Sequence, residues 1–142
     1  ELLTCVQEGL RAHFCLFDNS GWGCIENLQN NQGNDTFGTV FRYRSESGQL
    51  DGPILPIDFA KNAEAYGLKA YTIRTVEELR AALADALTQD KPVLYDIKVV
   101  PGTMTPGFEN WWRVGGAEVS TQPRVQAAYE DLMAHVKETR EF

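Results

Sequence analysis

Three short apolar stretches and five helical patterns are distributed along the chain. Strands are predicted at 13–17, 68–73 and 93–100. The first of these, beginning at His13, is apolar throughout, which is typical of a strand that is covered on both faces. Helices between strands give right-handed β-α-β crossovers. The pattern therefore predicts an α/β fold, namely a three-layer sandwich with a mostly parallel sheet.

Local sequence signals place the ends of the two central helices. Asp58 is the expected N-cap of one helix, and Gly67 supplies its C-terminal stop. Thr75 and Glu78 form a capping box at the start of the next. The apolar stripe predicted for this second helix consists of Val76, Leu79, Leu83, Ala86 and Leu87.

The two ends of the chain also show helical spacing. Leu2, Leu3, Val6 and Leu10 recur at helical spacing with no capping residue before them, so the sequence is expected to begin inside a helix. Pro123 opens a final amphipathic helix. Two irregular stretches, 30–49 and 101–116, read as long loops, and the second contains Met104, Phe108, Trp111 and Trp112.

Composition narrows the class of protein. A chain of 142 residues is expected to form a single domain over 1–142. The net charge of −7, without a basic stripe, argues against nucleic acid as a partner. No stretch is apolar for long enough to cross a bilayer, and we expect a cytoplasmic protein. The three cysteines have no metal-binding spacing and are expected to be reduced.

The stretch 13–33 carries the candidate chemistry. An apolar strand ends in Asp18 and Asn19, two glycines at 21 and 23 turn the chain, and an amphipathic helix follows from about Cys24. In an open α/β sheet, ligands bind at such carboxyl ends of strands. Hard oxygen donors beside a helix N-terminus suit a magnesium ion that holds a phosphate group. On residue type alone, however, the same four-residue pattern from Asp18 to Gly21 is also typical of a simple turn.

The chain resembles the C-terminal part of thiamine-diphosphate-dependent enzymes and, more narrowly, the trihydroxycyclohexanedione hydrolases of inositol catabolism. The resemblance covers nearly the whole sequence. It is carried by DNSGWGCIENLQ (18–29), FGTVFRYR (37–44), DFAKNAEAYG (58–67) and DIKVVPGTMTPGFENWWRVGGAEVS (96–120). The fold implied is a truncated thiamine-diphosphate-binding fold.

The resemblance implies a two-part motif for the cofactor, thiamine diphosphate, and for Mg²⁺. A Gly-Asp-Gly is followed, roughly two dozen residues later, by an Asn pair or a variant of it. Asn30-Asn31 fails this spacing, since Leu3 to Val6 stands where Gly-Asp-Gly would be needed. The pair is then Asp18-Asn19, and the acidic ligand is expected before residue 1. The implied metal ligands are the side-chain oxygen of Asn19 and the backbone carbonyl of Gly21.

Further residues of the same stretch are implied to contact the cofactor. Trp22 is expected to wall the cofactor channel, Gly23 to allow a close approach of the backbone to the diphosphate, and Cys24 to face the cofactor. No residue of this chain is assigned as catalytic. In the family, the glutamate that activates the cofactor belongs to another domain of a second subunit.

The activity implied for the intact enzyme is cleavage of a carbon–carbon bond in a cyclic polyol dione, giving a deoxy-glucuronic acid. This chain alone is expected to be inactive, because it would hold only the diphosphate end of the cofactor. Its partners would be the other domains of the same enzyme and a second subunit of a homo-oligomer. The alternative is a part of another thiamine-diphosphate enzyme, such as an acetolactate-synthase-like carboligase or a decarboxylase.

Overall fold

The structure, a computed structural model, describes residues 1–103 and 114–139. The helices are α1 (Leu2–Gln7), α2 (Gly23–Asn31), α3 (Phe59–Ala65), α4 (Val76–Ala86) and α5 (Pro123–Glu138), and the strands are β1 (His13–Asp18), β2 (Lys69–Ile73) and β3 (Val93–Lys98). The predictions for Met104, Phe108, Trp111 and Trp112 lie outside the described residues.

The chain divides into two compact units. Unit 1 comprises Glu1–Ser20 and Leu55–Pro101, and unit 2 comprises Gly21–Ile54 and Gly102–Phe142. The single domain expected over 1–142 stays a prediction.

Unit 1 is built on a parallel sheet of three strands in the order β1-β3-β2. The strands start in register, with His13 and Lys69 both opposite Val93. All three strands therefore end at the same edge of the sheet, where β1 finishes at Asp18 and β3 at Lys98. This arrangement confirms the predicted parallel α/β fold.

Helices cover both faces of this sheet, so the predicted three layers are present in unit 1. On one face, α1 and α3 bury a cluster of Ala60, Ala63, Leu68, Ala70 and Leu94. On the other face, α4 buries a cluster of Ile73, Ala82, Ala86, Val93 and Tyr95. Alternate residues of β3 enter the two clusters, as the two-residue period of a strand requires.

The predicted caps of α3 and α4 are confirmed. The Asp58 carboxylate accepts a hydrogen bond from the backbone N–H of Lys61 at 2.9 Å. Gly67 adopts a φ of +98° after α3, a conformation that favours glycine. The hydroxyl of Thr75 and the carboxylate of Glu78 exchange hydrogen bonds with each other's backbone N–H groups. These signals are local, which is why the sequence alone located them.

The apolar stripe predicted for α4 is partly wrong. Val76, Leu83 and Leu87 are 58%, 44% and 78% exposed. The other two predicted positions are confirmed, because Ala86 is buried and Leu79 packs against the buried cluster. Ala82, which was not predicted, is buried as well. Small side chains let the helix lie close to the sheet, and Leu83 and Leu87 are then turned toward the outside of unit 1.

The expectation that β1 is covered on both faces is also wrong for the described residues of unit 1. Residues along β1 alternate between exposed and half-buried, and Phe17 is 66% exposed. The reason is the position of β1 at the edge of the sheet, since α4 packs on β2 and β3. Its apolar outer face therefore has no cover within the described part of unit 1.

Unit 2 contains α2, α5 and the segment between α2 and α3 up to Ile54. The side-chain amide of Gln29 on α2 donates to the carbonyl of Phe37 at 3.2 Å and accepts from the hydroxyl of Thr39 at 2.9 Å. Gly33 lies so close to α5 that a Cβ there would be 2.4 Å from the carbonyl oxygen of Arg124. The polar stretch predicted as a long loop is thus held to a helix by specific hydrogen bonds.

No helix among residues 1–103 and 114–139 combines the length and the apolar character that crossing a membrane requires.

Candidate functional site

Asn19 lies directly after the carboxyl end of β1, in unit 1. The Oδ1 atom of Asp18 accepts a hydrogen bond from the backbone N–H of Ser20 at 2.9 Å, which closes a tight turn around Asn19. Ser20 has a φ of +62°, an uncommon value for a residue other than glycine. Asn19 itself is half-buried. The turn places this side chain at the edge of the sheet where ligands of parallel α/β proteins bind.

A cluster of three charged side chains stands beside this turn. The Nζ atom of Lys98 lies 2.7 Å from Oδ2 of Asp18 and 2.8 Å from Oδ2 of Asp96. It also donates to the backbone carbonyl of Ile57 at 2.9 Å. We call Asp18, Asp96 and Lys98 the lysine cluster.

The charge of Lys98 is set by two opposing effects. Burial lowers the pKa of its ammonium group, but hydrogen bonds to Asp18 and Asp96 outweigh burial and leave the pKa above its ordinary value. Lys98 is therefore positively charged at neutral pH and forms ion pairs with both carboxylates.

A pocket of about 320 Å³ lies at the same edge of the sheet, also within unit 1. It is lined by Pro56, Ile57, Asp58, Lys61, Thr72, Arg74 and Lys98. Three of these side chains are basic and one is acidic, so the pocket presents more positive than negative charge.

In unit 2, Gly21 lies against the backbone of the segment that follows α2. It forms an antiparallel bridge with Val40, and a Cβ at Gly21 would stand 2.7 Å from the carbonyl oxygen of Thr39. The next residue, Trp22, donates its backbone N–H to that same oxygen at 2.7 Å. Glycine is thus required at 21 by contact with the protein backbone, a reason that sequence reasoning did not find.

Trp22 and Cys24 stand at the start of α2. Trp22 is the N-cap residue, and among the described residues its side chain makes no capping hydrogen bond. Its ring is 62% exposed and meets Phe41 edge to face, with 6.5 Å between the ring centres. Cys24 is an exposed free thiol. The N-cap side chain of α2 thus supplies no acceptor for the first N–H groups of the helix, and the positive end of a helix dipole favours anions.

The predicted site residues fall into both units, with Asn19 in unit 1 and Gly21, Trp22, Gly23 and Cys24 in unit 2. Their joint role in binding a cofactor stays a prediction. In the part of the chain that the structure describes, no group of three or more His, Cys, Asp or Glu side chains is placed to hold a metal ion.

Sequence reasoning missed the lysine cluster. A signal was present, because Asp96 and Lys98 interrupt an apolar strand two positions apart and so share one face. Their partner Asp18 is 80 residues away from Lys98 in sequence. Only the register of β1 against β3 brings Asp18 and Lys98 opposite each other.

Comparison with known proteins shows the family to which the chain belongs. The profile of the family described as thiamine pyrophosphate enzyme, C-terminal TPP binding domain, matches residues 1–97. The chain belongs to this family of thiamine pyrophosphate enzymes.

Three individual relatives carry the same name. The 3D-(3,5/4)-trihydroxycyclohexane-1,2-dione hydrolase of Geobacillus thermodenitrificans is 54% identical over 143 aligned positions, which cover 100% of this chain and 22% of that protein. The proteins of the same name from Clostridium tetani and Bacillus thuringiensis are 48% and 51% identical with the same coverage. The chain thus spans about a fifth of the length of the curated relatives it matches.

A solved structure supports the fold. The thiamine diphosphate-dependent 4-hydroxybenzoylformate decarboxylase of Rhodococcus jostii RHA1 matches with a TM-score of 0.52 and 23% identity, covering 70% of this chain and 16% of that chain. At this identity the likeness shows the fold alone, and it agrees with the parallel α/β fold predicted from the sequence.

Proposed function

We propose that this chain is one part of a longer enzyme, called the parent enzyme below, that hydrolyses trihydroxycyclohexane-1,2-dione in myo-inositol catabolism. The reaction cleaves a carbon–carbon bond of the ring and gives 5-deoxy-glucuronic acid. The observation that carries the proposal is the 54% identity to a hydrolase of this name across the whole chain.

Within the parent enzyme, we assign to this chain the diphosphate end of thiamine diphosphate together with Mg²⁺. The donors fit a hard cation, because both the amide oxygen of Asn19 and the carbonyl oxygen of Gly21 are neutral oxygen ligands. The remaining ligands would be diphosphate oxygens and an acidic side chain from elsewhere in the parent enzyme. Asn19 lies on a turn that is closed by the Asp18–Ser20 hydrogen bond, so its backbone is already fixed before a metal binds.

The N-terminus of α2 has the properties of a diphosphate-binding element. Its N-cap residue, Trp22, makes no side-chain capping hydrogen bond, and its positive dipole end favours an anion. Gly23 starts the helix, and Trp22 and Cys24 flank it with exposed side chains. Bound thiamine diphosphate supplies the centre that attacks a carbonyl group and stabilises the resulting negative charge. The residues of this chain bind and orient the cofactor.

Two further features complete the proposal. The parent enzyme would act as a cytoplasmic homo-oligomer, with the glutamate that activates the cofactor supplied by a second subunit.

The sequence preceding this chain in the parent enzyme should contain Gly-Asp-Gly roughly two dozen residues before Asn19. If no such motif is found there, the assignment of Asn19 as a metal ligand fails.

Turnover by the parent enzyme tests the activity. With thiamine diphosphate and Mg²⁺, we expect it to consume trihydroxycyclohexane-1,2-dione and to leave pyruvate unchanged. Consumption of pyruvate without consumption of the dione would instead support the alternative, a carboligase or decarboxylase. This chain on its own, given the same cofactors, should show no turnover of either substrate.

A further inference from the structure

The lysine cluster is too deeply placed to be an ordinary surface ion pair. The side chains of Asp18, Asp96 and Lys98 are 8%, 0% and 18% exposed. Two carboxylates share one ammonium group, and Oδ1 of Asp96 is buried without a hydrogen-bond partner among the described residues. Buried ion pairs often stabilise a fold no better than apolar side chains of similar size would. The cluster therefore calls for an explanation beyond stability.

The contacts of Asp18 suggest what the cluster does. One carboxylate oxygen, Oδ2, is held by Lys98 at 2.7 Å, and the other, Oδ1, accepts the backbone N–H of Ser20 at 2.9 Å. The backbone carbonyl of Asp18 also accepts the N–H of Val99 at 3.1 Å. Asp18 is thereby fixed on both sides, and the turn that it closes contains Asn19.

Lys98 is in turn fixed by two other parts of unit 1. Asp96 lies two residues earlier on the same face of β3, and Ile57 stands just before α3. A single ammonium group thus connects the end of β1, the end of β3 and the segment that leads into α3. An ammonium group has three N–H donors, so Lys98 alone can contact Asp18, Asp96 and the carbonyl of Ile57. A neutral side chain in its place would leave the two carboxylates without a positive charge.

We infer that Lys98 is a positioning residue, which through Asp18 fixes the turn that presents Asn19 to the magnesium ion of the cofactor. The inference rests on the proposed function, because it takes Asn19 as a metal ligand. Partners that orient metal ligands typically change metal affinity about 10- to 100-fold when they are lost. Asp18 is accordingly a support for the site, and its carboxylate is turned toward Lys98 and Ser20.

The test uses the parent enzyme and the variant Lys98→Met, which keeps an unbranched side chain one atom shorter and removes its charge. Magnesium affinity is measured by titrating Mg²⁺ into enzyme with thiamine diphosphate and following the intrinsic tryptophan fluorescence. We expect the magnesium concentration at half-saturation to rise about 10-fold or more. The KM for the substrate at saturating magnesium should stay unchanged. Lys98→Arg, which keeps the charge, should recover part of the affinity.

Lys61→Met is the matched control. Lys61 lines the same end of the sheet, but its side chain is 81% exposed and pairs only loosely with Asp58 at 3.4 Å. This variant should bind magnesium as the unchanged enzyme does. If Lys98→Met does not fold, Asp18→Asn provides the second variant, because it keeps an acceptor for Ser20 and weakens the contact with Lys98; the same rise in half-saturating magnesium is expected.

Two results would overturn the inference. One is an unchanged magnesium affinity in a folded Lys98→Met or Asp18→Asn enzyme, and the other is an equal loss of affinity in Lys61→Met. Asn19→Ala separates this failure from that of the proposed function. If Asn19→Ala weakens magnesium binding and the Lys98 variants do not, only the inference fails. If Asn19→Ala has no effect on magnesium binding, both the assignment of the metal site and the inference about Lys98 fail.

Discussion

At the scale of single residues, Asn19 bears the clearest functional consequence. Asn19→Ala in the parent enzyme should reduce activity about 100-fold or more at ordinary magnesium levels, because it would remove the proposed ligand oxygen itself and not a residue that orients a ligand. Steady-state turnover of the cyclic dione measures the effect. Asn31→Ala, taken from the rejected Asn pair, is the control and should keep full activity. Equal activities of the two variants would contradict the ligand role of Asn19.

Tyr71 links stability to pH at the same scale. Its hydroxyl donates to the Asp85 carboxylate, and its ring stacks on Tyr95 with 5.8 Å between ring centres. Burial, reinforced by the bond to Asp85, raises the pKa of Tyr71 to about 12. The folded state therefore keeps the phenolic proton at pH values where the unfolded chain has lost it. The stabilisation is complete below pH 10 and declines as pH rises toward 12.

Tyr71→Phe tests this dependence, since phenylalanine keeps the stacking and loses the hydroxyl. At pH 8 the variant should be less stable by about 0.5–1 kcal/mol, because the carboxylate partner is partly exposed. The difference should shrink between pH 10 and pH 12, as urea unfolding of the chain at each pH would show. Tyr66→Phe, at an exposed position, should differ little from the original chain at any pH. A difference for Tyr71→Phe that is constant with pH would refute the account.

At the scale of elements, the capping box of α4 is the feature most open to measurement. Thr75→Ala removes the acceptor for the N–H of Glu78 and leaves the return bond from the Glu78 carboxylate in place. Losing an N-cap hydroxyl costs about 1 kcal/mol of stability. Urea unfolding of the chain should show this loss, while Thr75→Ser, which keeps the hydroxyl, should change little. If both variants are equally destabilised, the hydroxyl is not the cause.

At the scale of the whole molecule, the exposed face of β1 is the feature to explain. Cys15 lies on its exposed face, beside the exposed ring of Phe17. A strand that is apolar on both faces is typical of the interior of a parallel sheet. We therefore expect other parts of the parent enzyme to cover β1.

The reactivity of Cys15 toward a thiol reagent measures this cover. With Cys5 and Cys24 replaced by serine, Cys15 should react readily in the separate chain and be protected in the native parent enzyme. Denatured parent enzyme serves as the control and should restore the reaction. Rapid labelling of Cys15 in the native parent enzyme would show that the outer face of β1 stays open there.

Much of the fold followed from the sequence because its signals are local. Asp58, Gly67 and Thr75 mark helix ends through hydrogen bonds or backbone conformations that involve residues at most three positions away. The strand ending at Asp18 and the turn after it were located in the same way. The sequence did not predict correctly which side chains of α4 meet the sheet, because the close packing of Ala82 and Ala86 depends on the sheet itself.

In the candidate site, too, some features were predicted from the sequence and others depended on the tertiary structure. The sequence by itself determined that Asp18 and Asn19 end a parallel strand before a helix, and its resemblance to a family singled out Asn19 and Gly21. Tertiary structure alone decided that Asp18 meets Lys98, that Gly21 lies against Thr39, and that one face of β1 has no cover within the described part of unit 1. The physical reason is the separation of the contacting residues along the sequence. Turns and caps form between neighbours in the chain, whereas these contacts join segments that only the folded backbone brings together.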